Sequence, residues 1–127
     1  MSKRTKNFSF KKRIKSFKYA FAGLKSMFIA EHNSRIHLVA AVLAISLGIL
    51  LSISIAEWLI IVLVIGIVFT AELINSAIEK LADVVSSDHN DRIKQIKDYC
   101  AAAVLVSSIV ALIIGGLIFI PRILILL

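Results

Sequence analysis

Residues 58–81, WLIIVLVIGIVFTAELINSAIEKL, form an apolar run long enough to cross a lipid bilayer, yet acids and an amide interrupt its second half. At ~100° per residue, Asn75, Glu79 and Asp83 lie about 300°, 700° and 1100° round from Glu72, so all four share an arc of roughly 80°. An ionised carboxylate left against acyl chains is costly, and such a stripe must therefore face protein, water, a metal or a substrate. Depth sharpens this reading. If Trp58 marks the outer interface, Glu72 lies about 21 Å inward at 1.5 Å per residue, roughly 9 Å short of the cytoplasmic boundary, with Glu79 at that boundary.

Two further spans flank this one. Apolar runs at 36–55 and 99–120, together with 57–81, each approach the ~20 residues that a ~30 Å hydrocarbon layer requires, and Pro121 is expected to end the third. Upstream, Phe10, Ile14, Phe17, Phe21, Leu24 and Phe28 recur at steps of four and three with Lys11, Lys12, Arg13, Lys15, Lys18 and Lys25 between them. That pattern predicts an amphipathic helix over 8–30, its lysines at anionic head groups and its phenylalanines at the acyl boundary. The alternative is a helix packed on its neighbours. The fold class is thus all-α: a surface helix and three transmembrane helices, one membrane domain over 1–127.

Composition agrees with this class. The 127 residues have a mean hydropathy of +0.92 with one Pro and five Gly, which fits neither a disordered chain nor a secreted disulfide scaffold. Cys100 is the only cysteine, so no intrachain disulfide forms, and packing is its expected role. The long apolar runs begin only at Ile36, after a basic segment, so the N-terminus does not read as a cleavable signal and the mature chain is expected to start near Met1. The net charge of +7 sits beside the spans rather than on a soluble module, which argues against nucleic acid. Lys and Arg occur in the N-terminal segment and in 80–97, with Arg122 the one exception, so those parts are expected to be cytoplasmic.

At the cytoplasmic surface this topology gathers Glu31, just before the first span, Glu79, and Lys97-Asp98, which opens the third. Magnesium is often held by one or two carboxylates plus substrate phosphates, which Glu31 and Glu79 suit. A lysine at a helix N-terminus suits phosphate. Glu72, partly withdrawn from water, is a candidate base toward an alcohol, and a positioned nucleophile, metal and positive charge are what phosphoryl transfer needs. Each residue also has a plainer use: Glu79 in an ion pair with Lys80 or the loop, Asp98 as a helix-start acid, Asn75 as glue between spans. His32, His37 and His89 lack metal-ligand spacing and read as solvated or head-group contacts, while Ser107-Ser108 and Gly115-Gly116 read as sites of close helix packing. No phosphate-binding G-x-x-x-x-G-K-[ST] loop is present, which excludes a P-loop kinase.

Over nearly its whole length the chain resembles the small prokaryotic diacylglycerol kinase family, which includes undecaprenol kinases. The resemblance runs from FKYAFAGLKSMFIAEHNSRIHL through SIAEWLIIVL and AELINSAIEKLADVV to KQIKDYCAAAVLVSS, and its most specific motif is E-L-x-N-[ST]-A-I-E with K-D about 17 residues later. It implies a catalytic base at Glu72, an essential amide at Asn75, magnesium held with ATP at Glu31 and Glu79, and nucleotide contacts at Lys97, Asp98 and Tyr19. The loop Asp88-His89-Asn90 aligns with a nucleotide-contacting stretch but departs from its usual residues. Ala101 stands where some diacylglycerol-using members carry serine near the lipid, and Cys100 where glycine or alanine is usual. The family also implies a homotrimer with shared active sites in the bacterial cytoplasmic (inner) membrane, making phospholipid precursors from a membrane lipid alcohol. The competing classes are a small proton- or cation-coupled transporter, against which it counts that the acids crowd the cytoplasmic half with nothing comparable in the outer half of any span, and a non-catalytic assembly subunit.

Overall fold

The computed structural model describes residues 7–127; Lys3, Arg4, Lys6 and the expected start at Met1 lie outside them. Four helices follow in order: α1 Phe10–Ala30, α2 His32–Leu50, α3 Ile55–Val85 and α4 Asp91–Leu126. The last three are long and apolar enough to cross a membrane. The fold is all-α, and no strand occurs among the described residues.

The joints between helices are short and specific. Glu31 alone separates α1 from α2: its backbone is extended (φ −110°, ψ 119°), which ends one helix and redirects the next. The Arg35 guanidinium closes the joint by donating to the carbonyl oxygens of Phe28, at 2.8 Å, and Ile29, acceptors that a helix end leaves without intrahelical partners. Between α2 and α3, Ser52 takes a positive φ of 51°. The Ser54 hydroxyl then accepts from the Glu57 N–H at 3.2 Å while the Glu57 carboxylate accepts from the Ser54 N–H at 3.1 Å. This reciprocal cap starts α3.

These joints shift the expected ends. The first span, expected to reach 55, stops at Leu50, because 51–54 are taken by the turn and the cap of α3. α3 runs to Val85 and α4 starts at Asp91, well beyond the apolar limits of 81 and 99, since hydropathy marks the lipid-facing length whereas caps mark the helix. Pro121 does not end the third span's helix, which continues to Leu126. A proline removes one backbone donor, and so close to a helix end that loss does not break the turn.

α3 packs chiefly along α4, while α2 meets α4 over only a short stretch. At the Trp58 end, Ile53, Ile61, Ile118 and Phe119 form a buried cluster against Trp58 and Ile114. Trp58 lies against Gly48, where an added Cβ would come within 2.7 Å of the indole. Glu57 and Arg122 pair across the ends of α3 and α4. α1 is held only near its C-terminus, by buried Met27 and by Phe28 meeting Phe69 edge-on at 5.7 Å between ring centres. Phe10, Ile14, Phe17 and Phe21 remain exposed, so the apolar side of α1 is uncovered by protein, as a helix lying on a membrane requires.

Candidate functional site

α3 carries the site because its polar stripe turns inward. Glu72, only 2% exposed, is among the most buried side chains of the protein, and Ser76, one turn on, is buried beside it on the same face. Facing them from α2 are Ser34, fully buried, and His37, whose Nε2 lies 3.1 Å from Glu72 Oε1. That approach is within ion-pair distance but off the line of a good hydrogen bond, and Glu72 Oε1 has no aligned donor. Ser34 Oγ, Ser76 Oγ and Asn75 Oδ1 are likewise buried without hydrogen-bond partners. Buried polar atoms are normally paired. These polar atoms cluster on α3 and on the part of α2 that holds His37.

Toward the end of α3, Glu79 is half-buried, as is Glu31 at the α1–α2 joint. Both carboxylates are close enough for their charge to be felt at Glu72. Lys97 is within reach of the Glu79 charge, and its ammonium donates to Asp83 Oδ1 at 2.6 Å. The fold thus brings Glu31, Glu72, Glu79 and Lys97, from two helices and a joint, into one neighbourhood. Neither Glu31 nor Glu79 forms an ion pair among the described residues. Glu79 is therefore not paired with Lys80.

The remaining expected residues have the following surroundings. Lys97 is not at a helix N-terminus: α4 begins six residues earlier, so Lys97 lies almost two turns inside it. Asp98 pairs with Lys94 at 2.8 Å along α4. Asn90 caps α4, its Oδ1 accepting from the N–H groups of Arg92 at 2.9 Å and Ile93 at 3.4 Å. His89 Nε2 lies 3.1 Å from Asp91 Oδ1, and the Asp88 carbonyl accepts from the Ser86 hydroxyl at 3.3 Å. Tyr19 is exposed on α1. Ala101 is exposed and lines neither of the two clefts described next.

Two clefts flank the α3 stripe. One, of about 470 Å³, runs between α2 and α4 over α3, from His37 past Ala41, Val68 and Ala111 to Gly115 and Gly116. The paired glycines therefore do not serve close helix contact: a Cβ at Gly115 would meet nothing within 4 Å. Small residues on α2 and α4 leave this space open. The other cleft, of about 760 Å³, lies on the α3–α4 face, with Asn75 beside Tyr99 and Cys100 and apolar side chains over the rest.

His37 is the functional candidate that sequence reasoning misplaced. It is not a solvated or head-group histidine but a neighbour of Glu72, with 20% of its side chain exposed. A signal was present, since His37 is the one titratable residue in the first apolar run. Among the described residues no three His, Cys, Asp or Glu side chains converge closely enough to hold a metal by themselves. The oxygen donors Glu31 and Glu79 nonetheless fit a hard cation that takes its remaining ligands from phosphates.

Comparison with known proteins places the chain in a family. The sequence pattern of the family described as prokaryotic diacylglycerol kinase matches residues 18–119. The undecaprenol kinase of Bacillus subtilis (strain 168) is 40% identical over 109 residues, covering 86% of this chain and 89% of that protein. The diacylglycerol kinase of Synechocystis sp. is 34% identical over 110 residues (86% of this chain, 63% of that protein), and that of Escherichia coli (strain K12) is 32% identical over 100 residues (79% and 82%). With that much of its length matched, and with three helices long and apolar enough to cross a membrane, the chain belongs to the prokaryotic diacylglycerol kinase family and is a membrane lipid kinase.

Proposed function

We propose that the whole chain acts as one kinase domain that transfers the γ-phosphoryl group of ATP to the hydroxyl of a membrane lipid, undecaprenol or diacylglycerol, at the cytoplasmic face of the bacterial inner membrane. The observation that carries this reading is the position of Glu72: a carboxylate 2% exposed, 3.1 Å from the His37 that lines an open apolar cleft, and within electrostatic reach of two further acids. In the reaction the lipid oxygen forms a bond to the γ-phosphorus, the bond from that phosphorus to the β–γ bridging oxygen breaks, and Glu72 accepts the hydroxyl proton. The products are lipid phosphate and ADP. Withdrawal of Glu72 from water favours this role, because a poorly solvated carboxylate is a stronger proton acceptor. Asn75, one turn along, orients the reacting oxygens.

Glu31 and Glu79 are the residues that would hold Mg2+ together with ATP, and the bound ion would neutralise charge on the phosphates. Lys97 supplies positive charge to the polyphosphate, exchanging its bond with Asp83 for one with phosphate. Asp98, Tyr19 and the 88–90 loop complete the nucleotide contacts, and Ala101 lies toward the lipid. The cleft between α2 and α4 has room for a hydrocarbon chain whose hydroxyl end meets Glu72. Two features support a cytoplasmic site: basic residues flank it, and the outlying Arg122 is neutralised by Glu57 at the opposite end. Exposed apolar faces on all three long helices suit a homotrimer with shared sites.

Purified protein in lipid bilayers, given labelled ATP and magnesium with undecaprenol or diacylglycerol under identical conditions, tests the proposal. Undecaprenol is the acceptor to try first, since the relative named for it is more similar than those named for diacylglycerol. Labelled lipid phosphate is expected. ATP-independent solute flux in sealed vesicles, without lipid phosphorylation, would instead favour a transporter.

A further inference from the structure

We infer that His37 is a positioning residue for the Glu72 carboxylate, holding one oxygen from α2 so that the other is presented to the lipid hydroxyl; the inference rests on Glu72 acting as the base. A base at this depth has two difficulties. Its carboxylate is free to rotate unless something holds it, and its charge is opposed by the neighbouring Glu31 and Glu79 carboxylates. Lys and Arg side chains do not relieve either difficulty, since among the described residues His37 is the one group within ion-pair distance of Glu72.

The imidazole suits this task better than a lysine would. With its proton on Nε2 the ring donates toward a Glu72 carboxylate oxygen 3.1 Å away, and a hydrogen bond of this kind orients the group without needing a fixed cation beside it. His37 approaches Oε1 alone, which leaves Oε2 for the substrate. His37 also lines the cleft between α2 and α4, so it stands between the buried acid and the space open to a lipid chain. Its approach to Oε1 is not yet aligned, as is common in sites without substrate, where such bonds tighten on binding. Because the pair joins two helices, the α2–α3 spacing sets the carboxylate's direction, and a misplacement of about 1 Å is enough to cost up to ~100-fold in rate.

The test compares His37→Ala, His37→Leu and His37→Gln in bilayers, measuring kcat and the KM values for ATP and lipid, with helicity and thermal unfolding as controls. Gln retains an N–H donor, whereas Leu fills the space without one. Expected are a fall in kcat of about tenfold or more for Ala and Leu, an ATP KM within about twofold of the parent, and recovery by Gln to within about threefold. If Ala does not fold, Leu stands in for it. Parental kcat in the Leu variant overturns the inference, and so does an equal loss in folded Leu and Gln variants. Glu72→Gln, assayed alongside, separates the two levels: a fully active Glu72→Gln variant removes the base itself, while an inactive one beside a fully active His37→Leu removes only the positioning role.

Discussion

At the scale of single residues, the site's chemistry depends on a few side chains placed in environments they would not choose alone. Glu72 lies buried beside His37 and Ser76, and replacing its carboxylate by the isosteric amide should remove proton transfer with little change of shape. Glu72→Gln is expected to lower kcat by roughly 10²- to 10⁴-fold with helicity unchanged, measured as labelled lipid phosphate formed per protein. Lys97 presents a different case, because its ammonium already has a partner in Asp83. If it transfers to phosphate, Lys97→Met should lower kcat/KM for ATP by about tenfold or more, while Asp83→Asn should leave it within about threefold. An equal loss in both variants would instead make the pair a clasp between α3 and α4. The acids and the amide of the stripe were legible in the sequence because period and hydropathy alone show that they share one face of a span. The His37 contact was not, since it joins residues 35 positions apart on different helices.

At the scale of elements, caps and close contacts decide where each helix begins. Asn90 is the clearest instance: a loop residue aligned with nucleotide contacts whose side chain here accepts two backbone N–H groups at the start of α4. Asn90→Ala should cost about 1 kcal/mol of stability, and Asn90→Ser should restore most of it, both read by thermal unfolding in detergent. If the side chain also touches nucleotide, the Ser variant will keep stability yet raise the KM for ATP. The Gly48–Trp58 contact gives a second test. An added Cβ there meets ring carbons at 2.7 and 2.9 Å, so Gly48→Ala should destabilise by about 1–3 kcal/mol, with partial relief from Trp58→Phe. Neither contact could be read from hydropathy. Apolar run length located the spans, but capping by Ser54 and Asn90 carried α3 and α4 beyond those runs, and Pro121 proved compatible with the last turns of α4.

At the scale of the whole molecule, three apolar helices with largely exposed faces and an N-terminal helix with an uncovered apolar side describe a protein built for a lipid surrounding. Native mass spectrometry from bilayers should show three chains, and mixing inactive Glu72→Gln with inactive Lys97→Met protein should restore part of the activity if sites are shared between protomers. The absence of any recovery in verified mixed trimers would confine each site to a single chain. Hydropathy, helical period and the distribution of Lys and Arg determined the class of protein, the number of spans and the polar face of α3, because each follows from local composition against a solvent of fixed thickness. The tertiary structure alone decided which partners those polar groups meet: His37 beside Glu72, Asp83 on Lys97, Arg35 over the end of α1, and an open cleft where paired glycines had suggested contact. Such pairings depend on the rotation and spacing of whole helices against one another, which no local pattern specifies.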